Sequence, residues 1–122
     1  MAKIMVVDDS PTDVANLKRI LEKARHEVSI AGDAADALQR IREEQPDAVL
    51  MDVVMPGVNG FQATRTLSRD PATAQIPVIV VSAKNQETDR VWALRQGAKA
   101  YLVKPFKDAD LVKMIEQVLG QR

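Results

Sequence analysis

Ala48-Val49-Leu50-Met51-Asp52-Val53-Val54-Met55-Pro56-Gly57 is the stretch whose reading decides the fold. It opens as an apolar run, the pattern of a strand with both faces buried. A carboxylate, Asp52, stands where the run leaves the core, and Pro56-Gly57 then supplies turn chemistry. Two other places carry the same punctuation. Asp8-Asp9 closes the first apolar run, Lys3 to Val7, and Lys104-Pro105 closes the last, Ala100 to Val103. Strands laid parallel and side by side would bring three carboxylates and one ammonium to a single edge of a sheet.

The chain between these runs reads as helices and two more strands. Ser10-Pro11-Thr12-Asp13 is a helix start, with Ser10 as cap, Pro11 in the first turn and Asp13 three residues on. Val14, Leu17, Leu21 and Ala24 follow at helical spacing. Val28 to Ala31 is a weaker apolar run, which places that strand at an edge. Asp33 caps a second helix whose inner face carries Ala37, Leu38 and Ile41, before Pro46. Asn59-Gly60 opens a third helix with Phe61, Ala63, Thr64 and Leu67, and Pro71 and Pro77 bracket a loop. Val78-Ile79-Val80-Val81-Ser82 is a buried, β-branched strand. The spacing predicts a helix over about 86–96, with Val91 and Leu94 inward, Trp92 on its flank and Gly97 as left-handed cap. Asp108 caps a last helix presenting Leu111, Ile115, Val118 and Leu119. Five strands alternating with five helices predict an α/β fold: a doubly wound, five-stranded parallel sheet of order 2-1-3-4-5. Ligands of such sheets bind outside the carboxyl ends of strands 1 and 3, where Asp8, Asp9 and Asp52 fall.

A length of 122 residues allows one core, so residues 1–122 read as a single domain. Seventeen Lys and Arg balance seventeen Asp and Glu, which gives no global field for nucleic acid or anionic lipid. The absence of cysteine excludes disulfides, thiolate metal sites and a Cys nucleophile. The apolar start before Asp8 is too short for a signal peptide or a membrane span, so a cytoplasmic location without membrane insertion is the expectation.

Crowded carboxylates repel, and the relief is proton uptake or a bound cation. Three acids with neither His nor Cys nearby make a hard, all-oxygen site suited to Mg²⁺. Asp9 and Asp52 are expected as direct ligands, Asp8 as a direct or water-mediated one, and the Val54 backbone carbonyl completes the set. With the charge neutralised, an anionic phosphoryl donor can approach Asp52 as nucleophile. Lys104 supplies a positive charge and the Ser82 hydroxyl a hydrogen-bond donor. Lys104-Pro105 is a candidate cis peptide.

Asp8-Asp9, Asp52, Ser82 and Lys104-Pro105 together resemble the receiver domain of two-component response regulators, the fold of the chemotaxis regulator CheY. Acceptor, hydroxyl and lysine recur 30 and then 22 residues apart along essentially the whole chain. Met55 to Arg65 is similar to the PilH-type single-domain regulators of twitching-motility chemosensory systems. The resemblance implies a stand-alone receiver without an output domain. It implies phosphotransfer from a CheA-like histidine kinase to Asp52, with only self-catalysed transfer and dephosphorylation as enzymology. It also implies a switch in which Ser82 moves toward the phosphoryl group and Tyr101 follows inward. Downstream proteins would meet the face of the fourth helix, fifth strand and fifth helix, and the domain would change partners or drain phosphoryl groups from a shared kinase. Val54, two past the acceptor, and Lys84, two past Ser82, depart from the flagellar chemotaxis pattern at positions that tune phosphoryl lifetime in the family.

Each residue also has a plainer reading. Asp8-Asp9 alone would be a turn or cap, Ser82 a strand-end hydroxyl bonded to backbone, Lys104 a turn lysine and Tyr101 edge-strand packing. His26 reads as a surface residue near a helix C-terminus. Trp92 is either a core edge or an exposed partner anchor. Met5, Met51 and Met55 read as core or site-wall fillers. Competing functions are a flagellar chemotaxis or other signalling receiver, an aspartate-nucleophile phosphatase and a flavodoxin-like cofactor binder. The phosphatase would want an acid at position 54, and the cofactor binder an amide-lined loop where Asp8-Asp9 stands.

Overall fold

The computed structural model describes residues 1–55, 57 and 59–121. Its elements run β1 (Lys3–Val7), α1 (Pro11–Lys23), β2 (Glu27–Ala31), α2 (Ala34–Glu44), β3 (Ala48–Met51), α3 (Gly60–Arg69), β4 (Val78–Ser82), α4 (Glu87–Arg95), β5 (Ala100–Val103) and α5 (Asp108–Gly120). The strands form one sheet of order β2-β1-β3-β4-β5, every pair parallel, as the alternation predicts. Of the turn expected at Pro56-Gly57, Pro56 lies outside the described residues, and Gly57 has φ +77°.

Successive strand side chains point to opposite faces, and this sorts the apolar residues into two cores. Ile4, Val6, Leu50, Ile79 and Val81 pack under Leu17, Ile20 and Leu21 of α1 and Leu111, Ile115 and Val118 of α5. Met5, Val7, Val49 and Met51 pack on the other face under Ala37 and Ile41 of α2 and Ala63 and Leu67 of α3. Val53, Val80, Ala93 and Ala98 extend that second face toward α4, with Phe61 and Tyr101 against them. The three methionines expected as fillers are all buried. β2 is an edge strand, as its weaker pattern implies, and β5 is the other edge.

The helix starts are set by short side chains. Ser10 Oγ accepts from the Asp13 N–H at 3.3 Å, Asp33 Oδ1 from Asp36 N–H at 2.8 Å, and Asn59 Oδ1 from Gln62 N–H at 2.9 Å. Such a cap contributes about 1 kcal/mol. Two expectations need correction. Asp108 is the first residue of α5: Lys107, still extended at φ −86° and ψ 146°, precedes it as cap without a side-chain bond, and the Asp108 carboxylate pairs with Arg19 at 3.1 Å. Leu94 does not face inward: Ala93 is the buried residue of α4, and both Trp92 and Leu94 are exposed. In α4 the small Ala93 meets the Val53–Val80 cluster, so the larger apolar side chains either side of it turn to solvent. Gly97, at φ +108°, ends the turn after α4 as expected.

Candidate functional site

Strand register builds the site. Val7 pairs with Met51, so Asp8 and Asp52 leave the sheet side by side. Their backbones are tied down there: Asp52 N–H donates to Val7 O at 2.9 Å and Asp8 N–H to Ala31 O at 3.2 Å. Ser82 pairs with Val103, and the next N–H, that of Lys104, donates to Ser82 O at 2.9 Å. The Lys104-Pro105 peptide is cis. Three strand ends and the loop after β5 therefore converge on one edge.

Lys104 is the centre of what they bring together. Its ammonium lies 2.8 Å from Asp8 Oδ2, 2.8 Å from Asp13 Oδ2 and 3.3 Å from Asp52 Oδ2. Asp8 is 2% exposed and Asp52 9%, while Asp9, next to Asp8 in sequence, is exposed. The other oxygen of each buried acid takes a backbone donor, Ser10 N–H on Asp8 Oδ1 at 2.9 Å and Val54 N–H on Asp52 Oδ1 at 3.0 Å. Burial pushes the Asp8 carboxyl above its ordinary pKa, and the hydrogen bonds from Lys104 and Ser10 oppose this without cancelling it. Burial works against the charge on Lys104, but the hydrogen bonds to Asp13 and Asp8 and the charges of Asp52 and Asp8 outweigh it, so its pKa is raised.

Asp13 is the member of this cluster that the sequence reading missed, having been assigned to the helix start. The first half of that reading is right, since Asp13 N–H is capped by Ser10. A capping box would also send the Asp13 carboxylate back to Ser10 N–H, but that donor is used by Asp8, and the carboxylate turns to Lys104. A third acid five residues past Asp8, on the first helical turn beside an acid pair, was the available signal.

The hydroxyl and aromatic residues lie alongside. Met51 pairs with Val80, which puts Ser82 one residue beyond the level of Asp52. Ser82 is fully buried, and its Oγ accepts from Lys84 N–H at 3.3 Å. Tyr101 is half-buried, and its hydroxyl donates to Lys84 O at 2.8 Å. Burial and then the Asp89 charge push its phenol above the usual pKa, opposed by a hydrogen bond with Ser82. The backbone of Asp52 is also wedged from behind. A Cβ on Gly60 would stand 2.2 Å from Asp52 O and 2.6 Å from Val53 Cα, so only glycine permits α3 to start there.

The family model of the response regulator receiver domain matches residues 4–116. The chain belongs to the response regulator receiver family. This receiver is 54% identical to protein PilH of Pseudomonas aeruginosa over 120 residues, covering 98% of this chain and 99% of that one. It spans only 26% to 51% of the length of several further curated relatives. Among solved structures it is similar to the Vibrio cholerae chemotaxis protein CheY4, with a TM-score of 0.90 and 28% identity over 97% of this chain and 98% of that one. It is equally similar, at TM-score 0.90 and 28% identity with 98% of both chains covered, to the receiver domain of sensor histidine kinase PA1611 from Pseudomonas aeruginosa, which holds a magnesium ion in its active-site cleft.

The residues of this receiver fit such a cation by their donor chemistry. Three carboxylates share one ammonium, so the cluster keeps excess negative charge, and carboxylate oxygens retain acceptor capacity beyond the contacts described. All the donors are hard oxygens. The acids are arranged round Lys104 and not round a common point: among the described residues no three Asp, Glu, His or Cys side chains have metal-holding geometry. His26 stands apart, its Nδ1 accepting from Ala2 N–H at 3.2 Å. Among the described residues no helix is long and apolar enough to cross a membrane.

Proposed function

We propose that residues 1–122 form a stand-alone receiver in which Asp52 accepts a phosphoryl group from the phosphohistidine of a CheA-like histidine kinase. A carboxylate oxygen of Asp52 attacks phosphorus, the P–N bond breaks, and the imidazole, protonated beforehand on its other ring nitrogen, leaves neutral. Lys104 offsets the charge on the phosphoryl oxygens and the Ser82 hydroxyl donates to one of them. Asp8, Asp9, Asp52 and the Val54 carbonyl would hold Mg²⁺, whose contribution is to neutralise charge between nucleophile and phosphoryl group. The observation that carries this reading is the convergence of buried Asp8, Asp52 and Lys104 on strand ends in register.

Ser82 and Tyr101 form the switch. Their shared neighbour, the Lys84 backbone, is where a move of Ser82 toward phosphate would release the phenol. Trp92 and Leu94 of α4, on opposite flanks of the inward Ala93, and Val103 of β5 are exposed apolar side chains, and an anchor of this kind on these elements suits a partner surface involving α4, β5 and α5. Full-length similarity to PilH supports a cytoplasmic role in a chemosensory pathway of twitching motility, through partner exchange or as a phosphoryl sink. A flagellar chemotaxis role is the alternative reading. An aspartate-nucleophile phosphatase is disfavoured because Val54 stands where its acid would be.

Acetyl phosphate with Mg²⁺ is expected to label Asp52, and Asp52→Asn to abolish the label. Labelling that survives the substitution would exclude this acceptor, and phosphomonoester turnover would bring back the phosphatase.

A further inference from the structure

We propose that Asp13 competes with the incoming phosphoryl group for the ammonium of Lys104 and so sets how firmly this receiver holds that group. The inference rests on Asp52 being the acceptor. An ammonium has three protons, and three carboxylates take them. The two short contacts, both 2.8 Å, go to Asp8 and Asp13, and the longest, 3.3 Å, goes to the acceptor. Lys104 is thus drawn away from the position at which it must act.

To serve a phosphoryl group on Asp52 the ammonium has to lengthen or give up a contact, and the structure indicates which one. Asp8 is 2% exposed, and in the metal-free protein stripping its cation would leave a buried carboxylate bare, the most costly way to break an ion pair. The Asp13 side chain is 41% exposed and water can replace Lys104 there. It lines a cleft of about 370 Å³ together with Asn16, Lys104 and Phe106, so solvent has room to enter. Asp13 is therefore the releasable partner. Its carboxylate does not serve the helix cap, because Ser10 N–H is already taken by Asp8. Besides its favourable place in the first turn of α1, its carboxylate contacts Lys104, which makes Asp13 a positioning residue acting through the lysine.

Beryllium trifluoride with Mg²⁺, an analogue of the phosphoryl group, measures this directly through the ¹⁹F resonance of the bound species. Asp13→Asn should bind it about 3- to 5-fold more tightly than the wild type, the range of a partly exposed pair. Asp13→Glu should restore the wild-type value. The gap between wild type and Asp13→Asn should shrink as salt screens the exposed contact. In metal-free crystals of Asp13→Asn, Lys104 Nζ should move closer than 3.3 Å to Asp52 Oδ2. Unchanged or weaker binding by Asp13→Asn, with wild type binding normally, overturns the inference alone. Failure of the wild type itself to bind the analogue overturns the acceptor reading beneath it. A gap that is indifferent to salt, or an ammonium that does not move in the metal-free variant, also counts against the competition.

Discussion

Substituting Gly60 by alanine tests whether the acceptor's backbone is held in place by the start of α3. The added Cβ would meet Asp52 O at 2.2 Å, Val53 Cα at 2.6 Å and the Asp52 carbonyl carbon at 2.9 Å. A carbon–oxygen contact of this kind relaxes to about 3.3 Å, so helix and acceptor must separate by roughly 1 Å. All three clashing atoms are backbone, so no side chain can rotate to absorb the shift. Overpacking of this sort costs about 1–3 kcal/mol, offset in part by the roughly 1 kcal/mol that alanine gains over glycine within a helix. Stability should therefore fall modestly. The chemistry should suffer more, because a displacement of about 1 Å at a reacting group can cost on the order of 100-fold in rate. The separation would also disturb the Lys104–Asp52 contact, already the longest of its three at 3.3 Å. The assay is the rate of Asp52 labelling by acetyl phosphate with Mg²⁺, measured beside urea unfolding. Gly120→Ala is the control, since a Cβ there meets nothing within 4 Å. A Gly60→Ala protein that labels at the wild-type rate would refute the argument.

Two pH dependences follow from the buried groups. Asp8 is pushed above the usual carboxylate pKa, chiefly by burial, so the fold binds its proton more tightly than the unfolded chain does. The stability this contributes is present at acid pH below the unfolded value and is lost as pH rises through the raised one. Asp8→Asn should accordingly raise the neutral-pH melting temperature of the metal-free protein and flatten that part of the profile; a lower melting temperature would contradict it. His26 has the opposite sign. Burial, then the N-terminal charge, lowers its pKa, and Nδ1 must stay unprotonated to accept from Ala2 N–H. Its contribution is full above the unfolded value of about 6.5 and is lost as pH falls through the lowered one. His26→Gln should remove that part of the acid sensitivity in urea unfolding, and an unchanged pH dependence would count against the Ala2 contact.

The order of elements was legible because it rests on local pattern. Apolar runs such as 78–82 can only be satisfied by burial on both faces, and the alternation with helical periods leaves a parallel sheet as the solution. Asp8, Asp52 and Lys104 could be placed together for the same reason: each ends a strand, and parallel strands put their carboxyl ends on one edge. The sequence by itself thus determined the sheet, its winding and the edge at which the charged residues gather. Asp13 was not legible, because as a helix-start residue its composition and spacing were already accounted for. Only the packed fold shows that Ser10 N–H is taken by Asp8 and that the Asp13 carboxylate reaches Lys104, 91 residues along the chain. The outward turn of Leu94 and the close approach of Gly60 to Asp52 O belong to the same class. Periodicity selects which elements form and which faces are apolar, whereas the contacts of a single side chain depend on distances between elements that no local window contains.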